Sequence, residues 1–480
     1  MAAPSSWRIY CFGSLITILI AFLYSRVTVN DILNERLHQV TTGLLEVEIK
    51  HAVRPKVSPK VAVGFGACKD LFTDASELLA RLNTEIPVTP FHYNVLNNVT
   101  ELKSTFAYFY QHGAAAERFM SNSTLFSEMI AIGAQLPGAH WALGGNAPVM
   151  ASRFNLEGCE VLLGTKMSED LKSYFDPRIK ISGGNLASDD IHLILEYKSG
   201  DSWGKLTAAR ANRFIVHSDL NNPTISSLND FTAELKSFHP QLLVIGGLQM
   251  MDNFPFKPGQ RREILQKIRN TILDLSCWTR LHFEMASFTD ESLLQDLAEL
   301  VFPYIDSFGM NEQELPNLYA ALYKKNISLV SDTYPRVATV LDQMREVFRV
   351  VNTRQNQRGC EQHARIHVHT LAYQVIMTRH GSSWKNNLGA AAKASLTANR
   401  HTCGSGEIDV AKARLILDNS FASSKHDGGR RIHIDDGKPV SCWREEGVHI
   451  CVAPVLVCTE VLQTAGGGDT ISSAALAYQI

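Results

Sequence analysis

The sequence predicts an α/β fold in which helices cover both faces of a parallel central sheet. Between residues 242 and 323, short apolar segments alternate with longer segments of helical periodicity. Strands that alternate with helices pair in parallel, because each helix crosses back over the sheet between two strands. With 480 residues, of which 45% are hydrophobic, the chain has enough apolar material for a large core. The predicted strands here are 242–246, 280–285 and 307–310, and the predicted helices are 261–275, 291–301 and 312–323.

The segments before residue 242 are more varied. Residues 61–66 indicate a buried strand that runs into a glycine turn ending at Asp70, and 101–135 is helical in character. Short alternating segments at 160–163, 191–197 and 214–217 then predict strands. A Rossmann dinucleotide site is excluded because Lys69 stands where its third glycine would be, and no Walker A lysine motif occurs in the sequence.

The charge of the chain excludes one class of partner. It has 46 basic and 48 acidic residues, a net charge of −2. Binding to nucleic acid depends on basic side chains that neutralise phosphates. We therefore expect no nucleic-acid partner.

The N-terminal segment differs from the rest. Residues 9–25 carry no charge and lie between Arg8 and Arg26. Such an apolar run is typical of a secretory signal peptide or a signal anchor, assigned here to residues 1–26. Residues 27–54 follow as an amphipathic helix and linker. We expect entry into the secretory pathway, with residence in the endoplasmic reticulum or secretion, and membrane attachment if the apolar run is retained.

Two further features agree with an oxidising compartment. The chain has nine cysteines, of which Cys11 lies in the apolar run, so eight are available for disulfides. Sequons for N-glycosylation occur at Asn98, Asn122 and Asn326. We expect a disulfide-bonded glycoprotein, although the sequence does not determine the connectivity.

The most distinctive stretch is residues 464–472, near the C-terminus. Gly466, Gly467 and Gly468 precede Asp469, which opens a segment of helical periodicity. A glycine turn at a helix start leaves several N–H groups pointing one way, and these form a pocket for anions. A carboxylate beside such a pocket suits a base that takes a proton from a hydroxyl attacking a phosphoryl group. The alternative is a glycine C-cap followed by an N-cap aspartate.

Two more carboxylates lie at the ends of predicted strands, where ligands bind to an open parallel sheet. His282 and Glu284 share one face of a strand, and Asn311 and Glu314 share one face of the next strand-to-helix junction. Glu284 and Glu314 can together hold Mg²⁺ through water, as phosphoryl transfer requires. The alternative for each is an exposed acidic residue near a helix N-terminus.

Four cysteine and histidine residues near position 365 are candidate zinc ligands. Structural zinc sites combine two pairs of closely spaced ligands. Only one such group is present, so the sequence does not favour zinc here. The four residues are Cys360, His363, His367 and His369.

The ordered set of motifs resembles the ADP-dependent glucokinase/phosphofructokinase family, in its eukaryotic glucokinase branch, from about residue 55 to the end. The motifs are HxE (His282, Glu284), NxxE (Asn311, Glu314) and GxGD (Gly466, Gly468, Asp469), and segments 115–117, 144–146, 190–192 and 210–214 resemble further parts of the family. The resemblance implies a ribokinase-like fold, with a large α/β domain and a small, mostly β lid formed by insertions within 85–220.

The resemblance also implies roles for individual residues. Asp469 would be the base toward the sugar 6-hydroxyl, with Gly466 to Gly468 as the anion hole, and Glu284, Glu314 and Asp469 would organise Mg²⁺. Sugar hydroxyls and ADP phosphate would be bound by a second group: Asp70, Glu117, Asn146 and His192 for the sugar, and Arg213 or Arg210 for ADP.

The expected activity is transfer of the terminal phosphoryl group of ADP to glucose, by a monomer. Glu117 favours glucose over a sugar phosphate, because a carboxylate accepts from hydroxyls but repels a dianion. The alternatives are an ADP-dependent phosphofructokinase, another sugar kinase of this fold, or a non-catalytic membrane-tethered binding protein.

Overall fold

The structure is a computed structural model that describes residues 6–53, 55–82, 89–330, 332, 334–353, 358–360, 364–416, 421–426 and 428–480. Between residues 6 and 29 it describes the backbone and the side chains of Leu15 and Leu19.

The strands of the described residues are numbered in chain order. They are β1 (Lys60–Gly64), β2 (Cys68–Asp74), β3 (Val95–Leu96), β4 (Ala116–Met120), β5 (His140–Gly144), β6 (Glu160–Gly164), β7 (Lys180–Ser182), β8 (Asp190–Tyr197), β9 (Ser202–Trp203), β10 (Leu206–Thr207), β11 (Asn212–His217), β12 (Leu242–Ile245), β13 (Arg280–Glu284), β14 (Ser307–Asn311), β15 (Arg365–His369), β16 (Tyr373–Arg379), β17 (Ala413–Leu415), β18 (Ser441–Glu445), β19 (Val448–Pro454) and β20 (Leu456–Cys458).

The α-helices of the same residues are α1 (Ser6–Lys50), α2 (Ala75–Arg81), α3 (Val99–His112), α4 (Ser123–Gly133), α5 (Asn146–Leu156), α6 (Glu169–Lys172), α7 (Leu228–Phe238), α8 (Gln260–Leu273), α9 (Glu291–Leu300), α10 (Glu314–Tyr323), α11 (Val337–Thr353), α12 (Asn387–Thr402) and α13 (Gly467–Ala477). Short 3₁₀ turns lie at Asn222–Thr224, Leu248–Met251, Phe302–Tyr304 and Val410–Lys412.

Ten of these strands form the large sheet, in the order β18-β19-β16-β15-β14-β13-β12-β1-β6-β7. Pairing is parallel from β7 to β15 and antiparallel at β16, β19 and β18. The central strands are largely buried because helices cover both faces of the sheet. β12 accordingly is a continuous apolar run, whereas β13 also carries the buried polar residues His282 and Glu284. The predicted α/β fold with a parallel central sheet is confirmed, with an antiparallel edge added.

Six strands form the small sheet, in the order β3-β4-β11-β8-β2-β5. It corrects three details of the prediction. Residues 101–135 are not one helical region, because β4 separates α3 from α4 and pairs with β11. Asp70 lies within β2 and not in a turn. The small sheet begins at Cys68, upstream of the 85–220 range, and β6 and β7, which lie within that range, pair in the large sheet.

The helix α1 runs without a break from the apolar N-terminal segment into the folded body. Its C-terminal half packs on α12 through Leu37, Val40 and Leu44, and Glu48 forms two hydrogen bonds with Arg400 at 2.6 and 2.9 Å. The amphipathic helix expected within 27–54 is thus the last part of a longer helix that ends at Lys50. Among the described residues, none of the helices combines the length and apolar character needed to cross a membrane.

Six of the eight cysteines outside the apolar run form disulfides: Cys277–Cys360, Cys403–Cys458 and Cys442–Cys451. The remaining two, Cys68 and Cys159, are buried free thiols. The expectation that all eight could pair is therefore met only in part.

Candidate active site

A cavity of about 540 Å³ lies between the carboxyl ends of the large-sheet strands and the inner face of the small sheet. Elements distant in sequence meet here because the chain passes from the carboxyl end of β1 in the large sheet almost directly into β2 of the small sheet. All the residues predicted as site residues line the cavity, namely Asp70, Glu117, Asn146, His192, Arg210, Arg213, Glu284, Glu314, Gly466, Gly467, Gly468 and Asp469.

The glycine-rich stretch forms the start of α13. Gly466 has φ of 68°, a left-handed conformation that glycine adopts without strain, and it caps the helix. Gly468 has no room for a side chain, because a Cβ there would lie 2.9 Å from His369 Cε1. The first N–H groups of α13 have no acceptor within the helix, so they and the helix dipole favour an anion at this end of the cavity.

Asp469 lies in the first turn of α13, and two side-chain amides in series orient its carboxylate. Asn146 Nδ2 donates to Asp469 Oδ1 at 2.9 Å, and Gln249 Nε2 donates to Asn146 Oδ1 at 2.7 Å. Burial, together with the Glu284 carboxylate, raises the pKa of Asp469 to about 7. Asn146, which is predicted to bind sugar hydroxyls, lines the cavity and also orients Asp469.

Glu284, at the end of β13, is oriented by hydrogen bonds on both of its oxygens. His282 Nε2 donates to Oε2 at 2.8 Å and Ser472 Oγ donates to Oε1 at 2.9 Å. Burial opposes ionisation, but the hydrogen bond from His282 and the nearby His369 outweigh it and lower the pKa of Glu284 to about 2. Glu284 is therefore a carboxylate at all physiological pH values.

A second layer fixes His282. Ser307 Oγ lies 2.8 Å from His282 Nδ1 and accepts a hydrogen bond from Arg365 Nη1 at 3.1 Å. Since Glu284 can only accept, His282 carries its proton on Nε2 and accepts from Ser307 on Nδ1. Burial lowers the pKa of His282, which keeps the ring neutral and this tautomer in place.

Gly309 on β14 provides the space for Glu284. A Cβ at this position would lie 2.3 Å from Glu284 Oε2 and 2.8 Å from Ser472 Oγ. A Cβ atom essentially never lies this close to a nonbonded heavy atom, so no larger residue fits without moving Glu284.

Glu314 caps the helix that it begins. Asn311 donates to it from N at 2.8 Å and from Nδ2 at 2.9 Å, while Asn311 Oδ1 accepts from the backbone N–H of Gln313 and Glu314. This reciprocal arrangement resembles a capping box. Burial raises the pKa of Glu314 to about 7, and the Glu284 and Asp469 carboxylates add to the effect.

Glu284, Glu314 and Asp469 supply carboxylate oxygens, the ligand type of a hard divalent cation. They line one end of the cavity, and mutual repulsion contributes to the raised pKa values of Asp469 and Glu314. Oxygen ligands of this kind are those that Mg²⁺ prefers, commonly through bound water.

The opposite end of the cavity is built on the small sheet. Asp70 on β2 lies directly opposite His192 on β8, and Glu117 Oε1 lies 3.6 Å from His192 Nδ1. Gly144 on β5 makes room for Asp70, because a Cβ there would lie 1.8 Å from Asp70 Oδ1. Burial raises the pKa of Asp70 to about 6, an effect that His192 opposes. Two carboxylates and a histidine in this arrangement suit a ligand rich in hydroxyl groups.

The two candidate arginines differ in their partners. Arg210 donates from Nε to Gly113 O at 2.8 Å and from Nη1 to Glu312 Oε1 at 3.1 Å. Arg213 donates from Nη1 to Asn212 Oδ1 at 3.2 Å, whereas its buried Nε has no hydrogen-bond partner among the described residues. Arg213 is thus the less engaged of the two.

Sequence reasoning missed the residues that position the site residues. Ser307, Arg365 and Ser472 orient Glu284 through His282 or directly, Gln249 orients Asn146, and Asp219 contacts His192. These contacts join strands and loops that are far apart in the chain, so no local pattern marks them. The spacing of Ser472, three residues after Asp469 and thus on the same side of α13, is the one signal that could have been used.

Of the four candidate zinc ligands, the three that the structure describes do not assemble into a site. Cys360 is in a disulfide, His367 Nε2 lies 3.1 Å from Gln374 Oε1, and His369 Nε2 lies 3.8 Å from Glu284 Oε1. His363 lies outside the described residues.

Comparison with known proteins gives a consistent set of relatives. The family model for the ADP-specific phosphofructokinase/glucokinase conserved region matches residues 59–478. The chain is 33% identical over 423 residues to the ADP-dependent glucokinase of Bos taurus, which covers 87% of this chain and 84% of the relative. It is 28% identical over 435 residues to the probable ADP-dependent glucokinase of Caenorhabditis elegans, which covers 87% and 85%.

Solved structures of similar fold are more distant in sequence. An ADP-dependent kinase in complex with fructose-6-phosphate and ADPβS has a TM-score of 0.63 and 14% identity, covering 92% of this chain and 97% of that one. A hypothetical ADP-dependent phosphofructokinase from Pyrococcus horikoshii OT3 has a TM-score of 0.57 and 16% identity, covering 88% and 97%. At this identity the likeness shows a common fold.

Proposed function

The chain belongs to the ADP-specific phosphofructokinase/glucokinase family, and from this premise we propose that it is an ADP-dependent glucokinase. It transfers the terminal phosphoryl group of ADP to the 6-hydroxyl of D-glucose and releases glucose 6-phosphate and AMP. The observation that carries the proposal is one cavity with Asp469 and the N-terminus of α13 at one end and a hydroxyl-binding group at the other.

Asp469 acts as the base toward the 6-hydroxyl. Its pKa of about 7 makes it a stronger proton acceptor than an exposed aspartate, while leaving it largely ionised slightly above neutral pH. The hydrogen bond from Asn146 fixes the direction of Oδ1. The N–H groups that follow Gly466 hold the negative charge of the transferred group, and Arg213 contributes to binding the phosphates.

Glu284, Glu314 and Asp469 would hold Mg²⁺. When bound, the ion supplies positive charge that neutralises the phosphoryl oxygens as charge redistributes among them. Glu284 is ready to contribute because it is ionised and oriented on both oxygens. The negative charge concentrated in these side chains supports the assignment of a cation to this end of the cavity.

Glucose is favoured over a sugar phosphate by the charge at the small sheet. Asp70 and Glu117 are both acidic and both line the cavity, so they would repel a phosphate dianion placed beside them. The crystallised relative that holds fructose-6-phosphate supports the fold alone and does not select this substrate.

A two-by-two assay tests the proposal. The full chain is supplied with ADP or ATP as donor and with glucose or fructose 6-phosphate as acceptor, with Mg²⁺ present, and the phosphorylated sugar is measured. We expect turnover with ADP and glucose to exceed every other combination. Faster turnover with fructose 6-phosphate, or with ATP, would assign the chain to the alternative kinases, and no turnover at all would favour the binding-protein reading.

We also propose that the enzyme is a monomeric glycoprotein of the secretory pathway, in the endoplasmic reticulum or secreted. The apolar run at residues 9–25, three disulfides and the exposed positions of Asn98, Asn122 and Asn326 support this. One chain supplies every residue assigned to the cavity, which supports a monomer.

Peptide mapping of cell-derived material under non-reducing and reducing conditions checks the compartment. We expect peptides joined through Cys277–Cys360, Cys403–Cys458 and Cys442–Cys451, and a mass decrease after treatment with an N-glycosidase. Free thiols at all six positions would contradict an oxidising compartment.

A further inference from the structure

The inner face of the small sheet carries a row of polar side chains that the proposed mechanism uses only in part. His217 on β11, His192 on β8 and Asp70 on β2 are direct neighbours across three adjacent strands. Residues opposite each other in neighbouring strands point to the same face, so the three side chains share one side of the sheet.

Asp219 lies behind this row, two residues after the end of β11, and its side chain is fully buried. His192 Nε2 lies 3.0 and 3.1 Å from the two carboxylate oxygens of Asp219, and His217 Nδ1 lies 3.3 Å from Oδ1. Asn222 Nδ2 donates to Oδ2 at 2.7 Å. The carboxylate therefore binds the side of His192 that faces away from Glu117.

The loop that carries Asp219 is fixed from two sides. Asp190, on the same strand as His192, accepts from the backbone N–H groups of residues 220, 221 and 222 at 2.9 to 3.1 Å. Asn222 exchanges two hydrogen bonds of 3.0 Å with the backbone of Ala67. Because the loop is held in this way, Asp219 has a fixed position relative to His192.

We propose that Asp219 is a positioning residue for sugar binding: by accepting a hydrogen bond from Nε2–H it keeps His192 doubly protonated and turns Nδ1–H toward the sugar site as a permanent hydrogen-bond donor. The inference rests on the proposed function, since it assigns this donor to a sugar oxygen. Asp70 and Glu117 are carboxylates that only accept, so His192 supplies what they cannot. A hydroxyl both donates and accepts, and a site with both kinds of partner can satisfy it.

The charged groups around His192 agree with this role. Asp70 faces it from β2 and Glu117 from β4. His217 faces it from β11 and Asp219 from the loop after β11. The Cys68 thiol donates a hydrogen bond to Asp70. Burial disfavours a charged imidazole, but Asp219 and then Glu117 and Asp70 outweigh it and raise the pKa of His192 to about 10. His192 is thus charged below about pH 10.

The test compares the pH dependence of glucose binding in the wild type and in Asp219→Asn. KM for glucose and kcat are measured from pH 6 to pH 9 with saturating ADP. We expect the ratio of variant to wild-type KM to be lowest near pH 6 and to rise by about 10-fold toward pH 9. The reason is that in the variant His192 titrates near its ordinary value of about 6.5. kcat is expected to change much less than KM.

Two controls separate positioning from a general loss of structure. Asp306→Asn removes another buried carboxylate, which lies immediately before β14 and accepts from Leu281 N at 2.9 Å, and it should leave the pH profile of KM unchanged. His192→Gln should raise KM equally at every pH, and adding Asp219→Asn to it should cause no further increase. A KM raised equally at all pH values in Asp219→Asn, or an additive effect in the double variant, overturns the inference.

A second measurement needs neither an Asp219 variant nor turnover. In the full wild-type chain labelled with ¹⁵N-histidine, the His192 signal, identified by its absence in His192→Gln, should remain that of an imidazolium up to pH 9. A neutral ring at pH 8 would overturn the inference. Failure of the wild type to phosphorylate glucose would refute the proposed function instead, and the state of this ring would still be readable.

Discussion

At the end of the cavity built on the large sheet, Asp469 and Glu314 have pKa values of about 7, whereas at the small-sheet end the Asp219 carboxylate has its pKa lowered beside a charged His192. At the large-sheet end, the carboxylates concentrate negative charge, and nearby basic side chains do not neutralise all of it. The small-sheet end contains its own cation. The difference indicates that one end is built to take up a metal ion from solution and the other to bind a neutral sugar with preset donors and acceptors.

The largest expected effect comes from removing the base at the large-sheet end. Asp469→Asn should keep the fold and ADP binding but lower kcat by at least about 10²-fold, because it cannot take the proton of the attacking hydroxyl. Steady-state kinetics and ADP titration measure the two quantities. Near-normal turnover would remove Asp469 from the mechanism. Asp306→Asn, which lies away from the cavity, is the matched control.

Gly309 and Gly144 each lie against a site carboxylate, so a substitution at one of them disturbs one end of the cavity and leaves the other end unchanged. Gly309→Ala displaces Glu284 and should lower kcat by roughly 10- to 100-fold, since displacement of a reacting group by about 1 Å has effects of this size. Gly144→Ala displaces Asp70 and should act mainly by raising KM for glucose. Gly406→Ala is the control, because a Cβ at this position has no neighbour within 4 Å among the described residues. If both active-site variants changed the same parameter, the division into two ends would be wrong.

Glu117→Ala tests the selectivity of the small-sheet end. Losing a charge-assisted hydrogen bond should raise KM for glucose by about 10-fold or more while kcat changes less. The variant should also discriminate less strongly against fructose 6-phosphate, because one of two repelling carboxylates is gone. Competition assays with both sugars measure this, and an unchanged KM for glucose would contradict the role of Glu117.

The effect of removing a carboxylate on stability should have opposite signs at the two ends. The folded-state pKa of Asp469 is raised from 3.8 to about 7, so ionising it destabilises the metal-free protein progressively from about pH 4 to pH 7. Asp469→Asn should therefore be more stable than the wild type at pH 8 by on the order of 2–4 kcal/mol, and by less near pH 5. The pKa of Asp219 is lowered, so its contribution to stability is present above about pH 4 and Asp219→Asn should be less stable at pH 8.

Denaturant unfolding at pH 5 and pH 8 in the presence of EDTA measures both variants. Added Mg²⁺ should stabilise the wild type more than Asp469→Asn, because a ligand that binds only the native state stabilises it. Destabilisation of Asp469→Asn at pH 8 would show that its carboxylate is compensated within the protein, and the contrast between the two ends would then fail.

Local patterns in the sequence predicted the α/β class, a strand at 280–285 that the structure places at Arg280–Glu284, and a set of polar and glycine residues that all line one cavity. They did so because apolar periodicity and short motifs such as HxE and GxGD are properties of neighbouring residues. Pairing between distant strands decided what the patterns could not: that residues 116–120 form β4, that Asp70 lies within a strand, and that Asn146 bonds to Asp469 across 323 positions. The role of Asp219 could not be predicted from the sequence for the same reason. The free energy of ionising a buried carboxylate depends on its neighbours, and the small sheet is what brings His192 and His217 to Asp219.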